Sequence, residues 1–190
     1  MVTERMIEPR PYQLEAIEAI QEARGRGISR QLISLPTGTG KTVIFSLLAG
    51  EMNVKTLILA HREELITQAV NKIKMVCANL NVGIVMAEQN EGDKQVVVAS
   101  IQTASRSSRL AQLKEQGFQL LIIDEAHHAA SNTYQTVVEE LGFLEDNSNK
   151  ILIGVTATAR RGDKRPLGDI FQEVVFERSN AAMIKAQYLA

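Results

Sequence analysis

A short loop that combines glycine, lysine and threonine carries the clearest chemical signal in the sequence. Residues 36–42 read Pro-Thr-Gly-Thr-Gly-Lys-Thr and follow a short apolar stretch. Its glycines let the backbone curl so that successive amides point at a phosphate, while a following helix offers its positive end. Lys41 can then reach the β- and γ-phosphates, and the Thr42 hydroxyl can bind Mg²⁺. The predicted phosphate-binding residues are Thr37, Gly38, Thr39, Gly40, Lys41 and Thr42.

The strict phosphate-loop pattern has glycine at the position of Leu35, so a literal motif search would miss this site. The residues before the loop fit a buried strand and those after it fit a helix, which is the context that a phosphate loop requires. The alternative is a glycine-rich turn with an exposed lysine.

Two adjacent acids follow another apolar stretch. Residues 120–123 are Leu-Leu-Ile-Ile, and Asp124 and Glu125 come next. A phosphate loop needs a metal-binding carboxylate at the end of a neighbouring strand. We therefore predict that Asp124 holds Mg²⁺ together with Thr42, and that Glu125 orients or deprotonates the attacking water. Together with Lys41, these two acids are the predicted catalytic residues. The alternative is a helix N-cap followed by a first-turn acid.

Short apolar stretches alternate with amphipathic ones along the whole chain, which predicts an α/β fold. We expect three layers, with a mainly parallel central sheet flanked by helices. Predicted strands cover residues 31–35, 56–60, 83–86, 95–99, 118–123 and 150–155, with a polar turn over 88–94. Predicted helices begin at residue 11 and cover 41–49, 63–78, 101–116, 134–141 and 179–190. The apolar face of the first helix is predicted to carry Leu14, Ile17, Ile20 and Ala23.

Ligands of such sheets bind in the crevice at the carboxyl ends of the strands. The chemistry should therefore lie directly after the predicted strands, which end near Leu35, Ala60, Ala99, Ile123 and Val155. The phosphate loop and the acidic pair both occupy such positions.

The composition fits one globular domain. The 190 residues include 45% hydrophobic and 23% charged residues. With 21 Lys and Arg against 22 Asp and Glu, the net charge of −1 excludes nucleic-acid binding by bulk positive charge and leaves only local contacts. Cys77 is the only cysteine, which excludes an internal disulfide and the usual cysteine-based zinc sites. The sequence shows neither a secretory signal nor an apolar run of about 20 residues, so we expect a cytoplasmic protein without a membrane partner.

Residues 124–127 read Asp-Glu-Ala-His and match the DEAH form of the Walker B motif, and here the sequence resembles the superfamily-two helicases. Residues 10–13, Arg-Pro-Tyr-Gln, resemble the element with which that family recognises adenine. The resemblance implies that Gln13 reads the base and that Arg10 or Tyr12 supports it. Residues 35–42 resemble motif I of the same family.

Three further segments resemble family motifs. Residues 60–65 resemble motif Ia, 99–103 motif Ib and 156–158 motif III. The resemblance implies that nucleic acid is contacted by Arg62, Ser100, Gln102 and Thr103. It also implies that nucleic-acid binding is coupled to the nucleotide site by His127, Thr156 and Thr158. The alternative is that the motif Ib residues only cap the following helix, and that the histidine and threonines only satisfy local hydrogen bonds.

The doubled His127-His128 and the run over residues 154–160 look closest to the type III restriction-enzyme motor subunits and repair-type DNA helicases. The resemblance implies a RecA-like ATP-binding domain over residues 1–178, using ATP and Mg²⁺, and the start of a linker over 179–190. A second RecA-like domain would supply the arginines needed for ATP hydrolysis, and Arg160, Arg161 and Arg165 would meet nucleic acid or that domain.

We therefore expect the first motor domain of a helicase that acts on DNA rather than RNA, monomeric and nearly inactive as an isolated ATP hydrolase. Two rivals are a metabolic P-loop NTPase or nucleotide kinase, and a nonenzymatic nucleotide-dependent scaffold.

Overall fold

The computed structural model describes residues 7–145, 149–157, 167 and 170–187. Within these residues, eight strands form one sheet: β1 (Arg30–Ser34), β2 (Thr56–Ala60), β3 (Val82–Met86), β4 (Gln89–Asn90), β5 (Val96–Ser100), β6 (Leu120–Asp124), β7 (Ile151–Thr156) and β8 (Glu173–Glu177). The α-helices are α1 (Pro11–Gly25), α2 (Lys41–Met52), α3 (Glu63–Val76), α4 (Ile101–Ala104), α5 (Ser107–Glu115), α6 (Asn132–Glu140) and α7 (Asn180–Lys185). A 3₁₀-helix covers Ala126–Ala130.

The strand order is β4-β3-β5-β2-β6-β7-β1-β8, and every pair except β3 with β4 is parallel. Two separate apolar clusters cover the two faces of the sheet. One joins the sheet to α1, α2, α3 and α7, and the other joins it to α4, α5, α6 and the 3₁₀-helix. These layers confirm the predicted three-layer α/β fold with a mainly parallel central sheet.

Burial on both faces explains why the central strands are apolar throughout. Every residue of β2, β5 and β7 is buried, as expected for parallel strands covered by helices on both sides. The loops that follow their carboxyl ends therefore meet at one edge of the sheet.

The prediction of a polar turn over residues 88–94 was wrong in part, because Gln89 and Asn90 pair as a short antiparallel edge strand with β3. The single helix predicted over 101–116 is in fact two helices, α4 and α5. The break falls at Arg106, whose extended backbone (φ −65°, ψ 133°) precedes α5. The Thr103 hydroxyl accepts a hydrogen bond from the Ala87 N–H, and Arg109 donates to the carbonyls of Ala87 and Gln89. These contacts hold the β3–β4 turn against the helices.

Two further expectations differ from the structure. No strand was predicted over residues 173–177, where β8 pairs in parallel with β1 at the sheet edge. Leu14 was predicted to face the core, but its side chain is 50% exposed. The other three predicted residues are confirmed, since the buried residues of α1 are Tyr12, Gln13, Ala16, Ile17, Ile20 and Ala23. In the first turn, the residues that face inward are Tyr12 and Gln13, which hydrogen-bond to the Thr39 carbonyl, and Leu14 points away.

The segment predicted to begin a linker contributes to the core. Ser179 caps α7 by accepting a hydrogen bond from the Ala182 N–H, and Met183 is buried in the cluster that contains α1. The boundary at residue 178 stays a prediction. Among the described residues, no helix is long and apolar enough to cross a membrane.

Gly154 in β7 allows an aromatic side chain to pack directly against the sheet. A Cβ atom at this position would overlap the Phe171 ring and lie 2.9 Å from the Ala126 Cβ. Because both neighbours are buried, we expect Gly154→Ala to lower the free energy of unfolding by about 1–3 kcal/mol, as overpacking does. Gly25→Ala is the matched control, since that Cβ would meet nothing within 4 Å. Equal midpoints of urea unfolding for the two variants would contradict this packing argument.

Candidate active site

The phosphate loop joins β1 to α2. Gly38 and Gly40 have φ angles of +83° and +71°, values that favour glycine because other side chains are strained there. The Thr39 hydroxyl donates a 2.8 Å hydrogen bond to the Pro36 carbonyl, which fixes the turn. The helix that follows begins at Lys41. Its first amides have no partner within the helix and can bind an anion.

Residues of α1 hold this loop from behind. The Gln13 Nε2 donates to the carbonyls of Thr39 and Gly40 at 3.1 and 3.2 Å, and the Tyr12 hydroxyl also donates to the Thr39 carbonyl. The Gln13 Oε1 accepts a 2.8 Å hydrogen bond from the Arg10 N–H. Gln13 is only 3% exposed. Adenine recognition by Gln13 and Arg10 stays a prediction. The Gln13 Oε1 has a second lone pair that can accept from a base, whereas its Nε2 would have to release a loop carbonyl in order to donate to one.

The acidic pair ends β6 at the same edge of the sheet. β7 lies between β6 and β1, and Asp124 is in register with Val155. Glu125 has a φ of +53°, and a non-glycine residue in this left-handed region stores strain of the kind found at functional sites. Its N–H donates to the Asp124 Oδ1 at 2.9 Å. Burial raises the pKa of Asp124, and the Glu125 N–H and the Lys41 charge oppose that rise. Lys41 and Asp124 therefore lie close enough for their charges to interact.

His127 connects the acidic pair to the end of β7. Its Nδ1 lies 3.5 Å from the Thr156 Oγ1 and 3.5 Å from the Glu125 Oε2. The Thr156 carbonyl in turn accepts a 3.0 Å hydrogen bond from the Leu35 N–H, at the start of the phosphate loop. Two of the three predicted coupling residues are thus in contact. The third, Thr158, lies outside the described residues.

The predicted nucleic-acid residues fall into two groups. Arg62, before α3, and Gln102, in α4, are exposed, and the Gln102 Nε2 donates to the His61 carbonyl at 2.9 Å. Ser100 and Thr103 are buried, and their hydroxyls accept hydrogen bonds within the domain, at 3.2 Å and 3.0 Å. Contact of nucleic acid with all four residues stays a prediction, and the two exposed side chains are the accessible ones.

Sequence reasoning missed two residues of this site. They are His61 and His128, whose rings stack with centroids 4.1 Å apart. The doubled histidine was the only sequence signal for this contact. A pocket of about 160 Å³ lies at this point, and its walls are formed by Ala60, His61, Arg62, Leu65, Asp124, Glu125, His127 and His128.

The histidine contacts make stability depend on pH. Burial, together with the nearby His127 and His61, lowers the pKa of His128. The unfolded chain then binds more protons than the folded chain, so the free energy of unfolding should fall as pH falls below about 6.5. We expect the melting temperature to drop between pH 7 and pH 5 and His128→Phe to reduce this drop. If the melting temperatures of the variant and the wild type depended on pH in the same way, His128 would not be the source of this pH dependence.

The segments that resemble helicase motifs therefore also lie close together in the structure. The chain folds as a RecA-like ATP-binding domain of the superfamily-two helicase class, with motifs I, II and the start of motif III in contact at one sheet edge. A family model described as "Type III restriction enzyme, res subunit" matches residues 6–161. The chain belongs to this family, and the predicted branch is confirmed.

Relatives of this chain are longer proteins. It is 36% identical over 192 aligned residues to IRC3 of Saccharomyces cerevisiae, a candidate ATP-dependent helicase, covering 95% of this chain and 28% of IRC3. It is 31% identical over 188 residues to XPB2 of Sulfurisphaera tokodaii, described as a DNA 3'-5' translocase, covering 97% of this chain and 38% of XPB2. The Hef helicase domain structure of Pyrococcus furiosus matches with a TM-score of 0.72 at 25% identity, covering 90% of this chain and 38% of that chain. The chain thus spans less than two fifths of each.

Proposed function

We propose that this chain is the first motor domain of an ATP-dependent DNA helicase or translocase. It binds Mg-ATP at the phosphate loop and one nucleic-acid strand at the loop after β2 and at α4, which directly follows β5. The observation that supports this most strongly is the contact of His127 with both Glu125 and Thr156, because it joins the proposed water-positioning acid to the last residue of β7, whose carbonyl accepts a hydrogen bond from Leu35 at the start of the phosphate loop.

The donor set fits a nucleotide with Mg²⁺. Hydroxyl and carboxylate oxygens are the ligands that Mg²⁺ prefers, and Thr42 and Asp124 supply one of each at the same sheet edge. In P-loop enzymes the ion neutralises charge on the phosphate oxygens. Lys41 and the first amides of α2 hold the phosphates. Glu125 accepts a proton from, or orients, the attacking water.

Hydrolysis by this half-site alone should be slow. In the motors that this domain resembles, arginines from a second domain stabilise the transferring phosphoryl group and contribute about 10³–10⁵ in rate. The relatives extend well beyond the matched region, which supports a second RecA-like domain in the whole protein. Arg160, Arg161 and Arg165 lie outside the described residues, and their contact with nucleic acid or that domain stays a proposal.

The similarity to XPB2, a DNA 3'-5' translocase, supports DNA as the substrate. The test is ATP hydrolysis by the whole protein with single-stranded DNA, RNA of the same sequence, or small phosphate acceptors. We expect DNA to stimulate turnover most. Stronger stimulation by RNA would overturn the choice of DNA, and stimulation only by a small acceptor would support the metabolic P-loop enzyme instead.

Arg62 gives a direct test of the nucleic-acid surface. Its exposed guanidinium follows β2 at the edge of the site, where it can bind a backbone phosphate. We expect Arg62→Ala to weaken single-stranded DNA binding about equally for all sequences and to reduce the salt slope by about 0.7–1, one phosphate contact. Fluorescence anisotropy with labelled oligothymidine at several salt concentrations measures both quantities.

The matched control is Arg24→Ala. Arg24 is also exposed, but it lies in the last turn of α1, which leads into the opposite, amino end of β1. Equal losses of affinity in the two variants would show that Arg62 contributes only general positive charge.

A further inference from the structure

The side-chain rings of all three histidines of the sequence lie next to one another in a row, in the order His61, His128 and His127. The rings of His61 and His128 stack, with centroids 4.1 Å apart and planes 20° from parallel, and His127 lies 4.2 Å from His128 at 43°. The Tyr134 ring lies on α6, 6.4 Å from that of His128 and 14° from parallel. His128 is therefore held among three rings that come from three separate elements.

The topology explains why these rings meet. β2 and β6 are neighbouring parallel strands, so the residues after their carboxyl ends lie side by side. His61 directly follows β2, and His128 is in the 3₁₀-helix after β6. Tyr134 is 2% exposed, so α6 fixes the far side of the row. The stack is thus a direct side-chain contact between the loop after β2 and the segment that follows the acidic pair.

One end of the row contacts the proposed nucleic-acid residues, and the other end contacts the proposed hydrolytic residues. On the outer side, the His61 carbonyl accepts the Gln102 side chain at 2.9 Å, and Arg62 is the next residue. On the inner side, His127 lies 3.5 Å from both Glu125 and Thr156. A shift of the loop after β2 that moves His61 must therefore either break the stack or move His128 and its neighbour His127.

We propose that the stacked pair His61 and His128 is a positioning device that transmits nucleic-acid binding at the loop after β2 to His127 and Glu125. It deepens the proposed function and rests on it, because it needs both DNA binding and hydrolysis. His61 and His128 touch neither nucleotide nor DNA in this account. They act by holding two loops in one relative position, so DNA bound at Arg62 and Gln102 favours the arrangement in which Glu125 is aligned.

The test is steady-state ATP hydrolysis by the whole protein, with and without single-stranded oligothymidine, for His61→Ala, His128→Ala, His128→Phe and the double alanine variant. We expect either alanine variant to lower the DNA-stimulated kcat by about five- to tenfold, a typical size for coupling between sites, while the KM for ATP stays within about twofold. His128→Phe should restore most of the stimulation, since a phenyl ring can stack like an imidazole. The double variant should be no worse than either single variant, because both remove the same contact.

The exposed Gln68 on α3 provides the control substitution, Gln68→Ala, which should change neither kcat nor KM. Melting temperatures of all variants exclude loss of folding, and the phenylalanine variant keeps the test valid if an alanine variant unfolds. Wild-type stimulation in both alanine variants, or losses that multiply in the double variant, would overturn the proposal. Wild-type protein that shows no stimulation by DNA would instead overturn the proposed function.

Discussion

Replacing Glu125 with Gln in the whole protein is expected to lower kcat for ATP hydrolysis by about 10²–10⁴-fold, the usual contribution of a positioned general base. The amide keeps the size of the carboxylate but cannot accept the proton of the attacking water. Nucleotide affinity should stay within a fewfold of wild type, because the phosphates are held by Lys41 and the first amides of α2. The variant should therefore trap ATP, which binding and single-turnover assays measure separately.

The backbone at Glu125 strengthens this expectation. A residue with a side chain at φ +53° is strained, and only a local requirement keeps it there. Glu139→Gln is the matched control, since Glu139 is an exposed acid on α6 and its loss should leave turnover unchanged. A Glu125→Gln protein with near-normal turnover would remove Glu125 from the mechanism and favour the scaffold alternative.

Replacing Lys41 with Ala is the second large effect, and it should appear in binding rather than only in turnover. A charge-assisted contact to phosphate contributes about 1.5–3 kcal/mol, so we expect Mg-ATP affinity to fall by about 10- to 100-fold. The fold should not change, because Lys41 is only half-buried. Isothermal titration of the 190-residue chain measures this affinity.

Lys74→Ala is the matched control for that titration, because Lys74 is an exposed lysine in the last turn of α3. Since α3 begins at the carboxyl end of β2, its last turn lies away from the phosphate loop. The affinity of this variant for Mg-ATP should equal that of the wild type. If Lys41→Ala also bound Mg-ATP normally, residues 36–42 would be an ordinary glycine-rich turn.

The parts of this site that could be predicted from sequence are those set by local pattern. Fully apolar runs such as residues 120–123 predict strands buried on both faces, and the chemistry directly after them lies at the carboxyl edge as expected. The phosphate loop is one continuous stretch of sequence, and so is the acidic pair. Their relative position then follows from the parallel order of β6, β7 and β1.

The parts that could not be predicted depend on contacts between distant segments. The Gln13 side chain bonds to a loop 26 residues away, and the edge strand β4 depends on the guanidinium of Arg109. The stack of His61 on His128 joins residues from two strands whose adjacency is known only from the topology. Residue type and spacing along the chain do not predict which distant residues form these contacts.

In our proposal, this RecA-like domain supplies only one half of a hydrolytic site. The most direct test measures Mg-ATP binding and steady-state hydrolysis by the 190-residue chain alone, beside the whole protein, with and without single-stranded DNA. The account predicts that the chain alone binds Mg-ATP but turns it over at least about 10³-fold more slowly than the DNA-stimulated whole protein, since the second-domain arginines are absent. Robust, DNA-stimulated hydrolysis by the chain alone would contradict it.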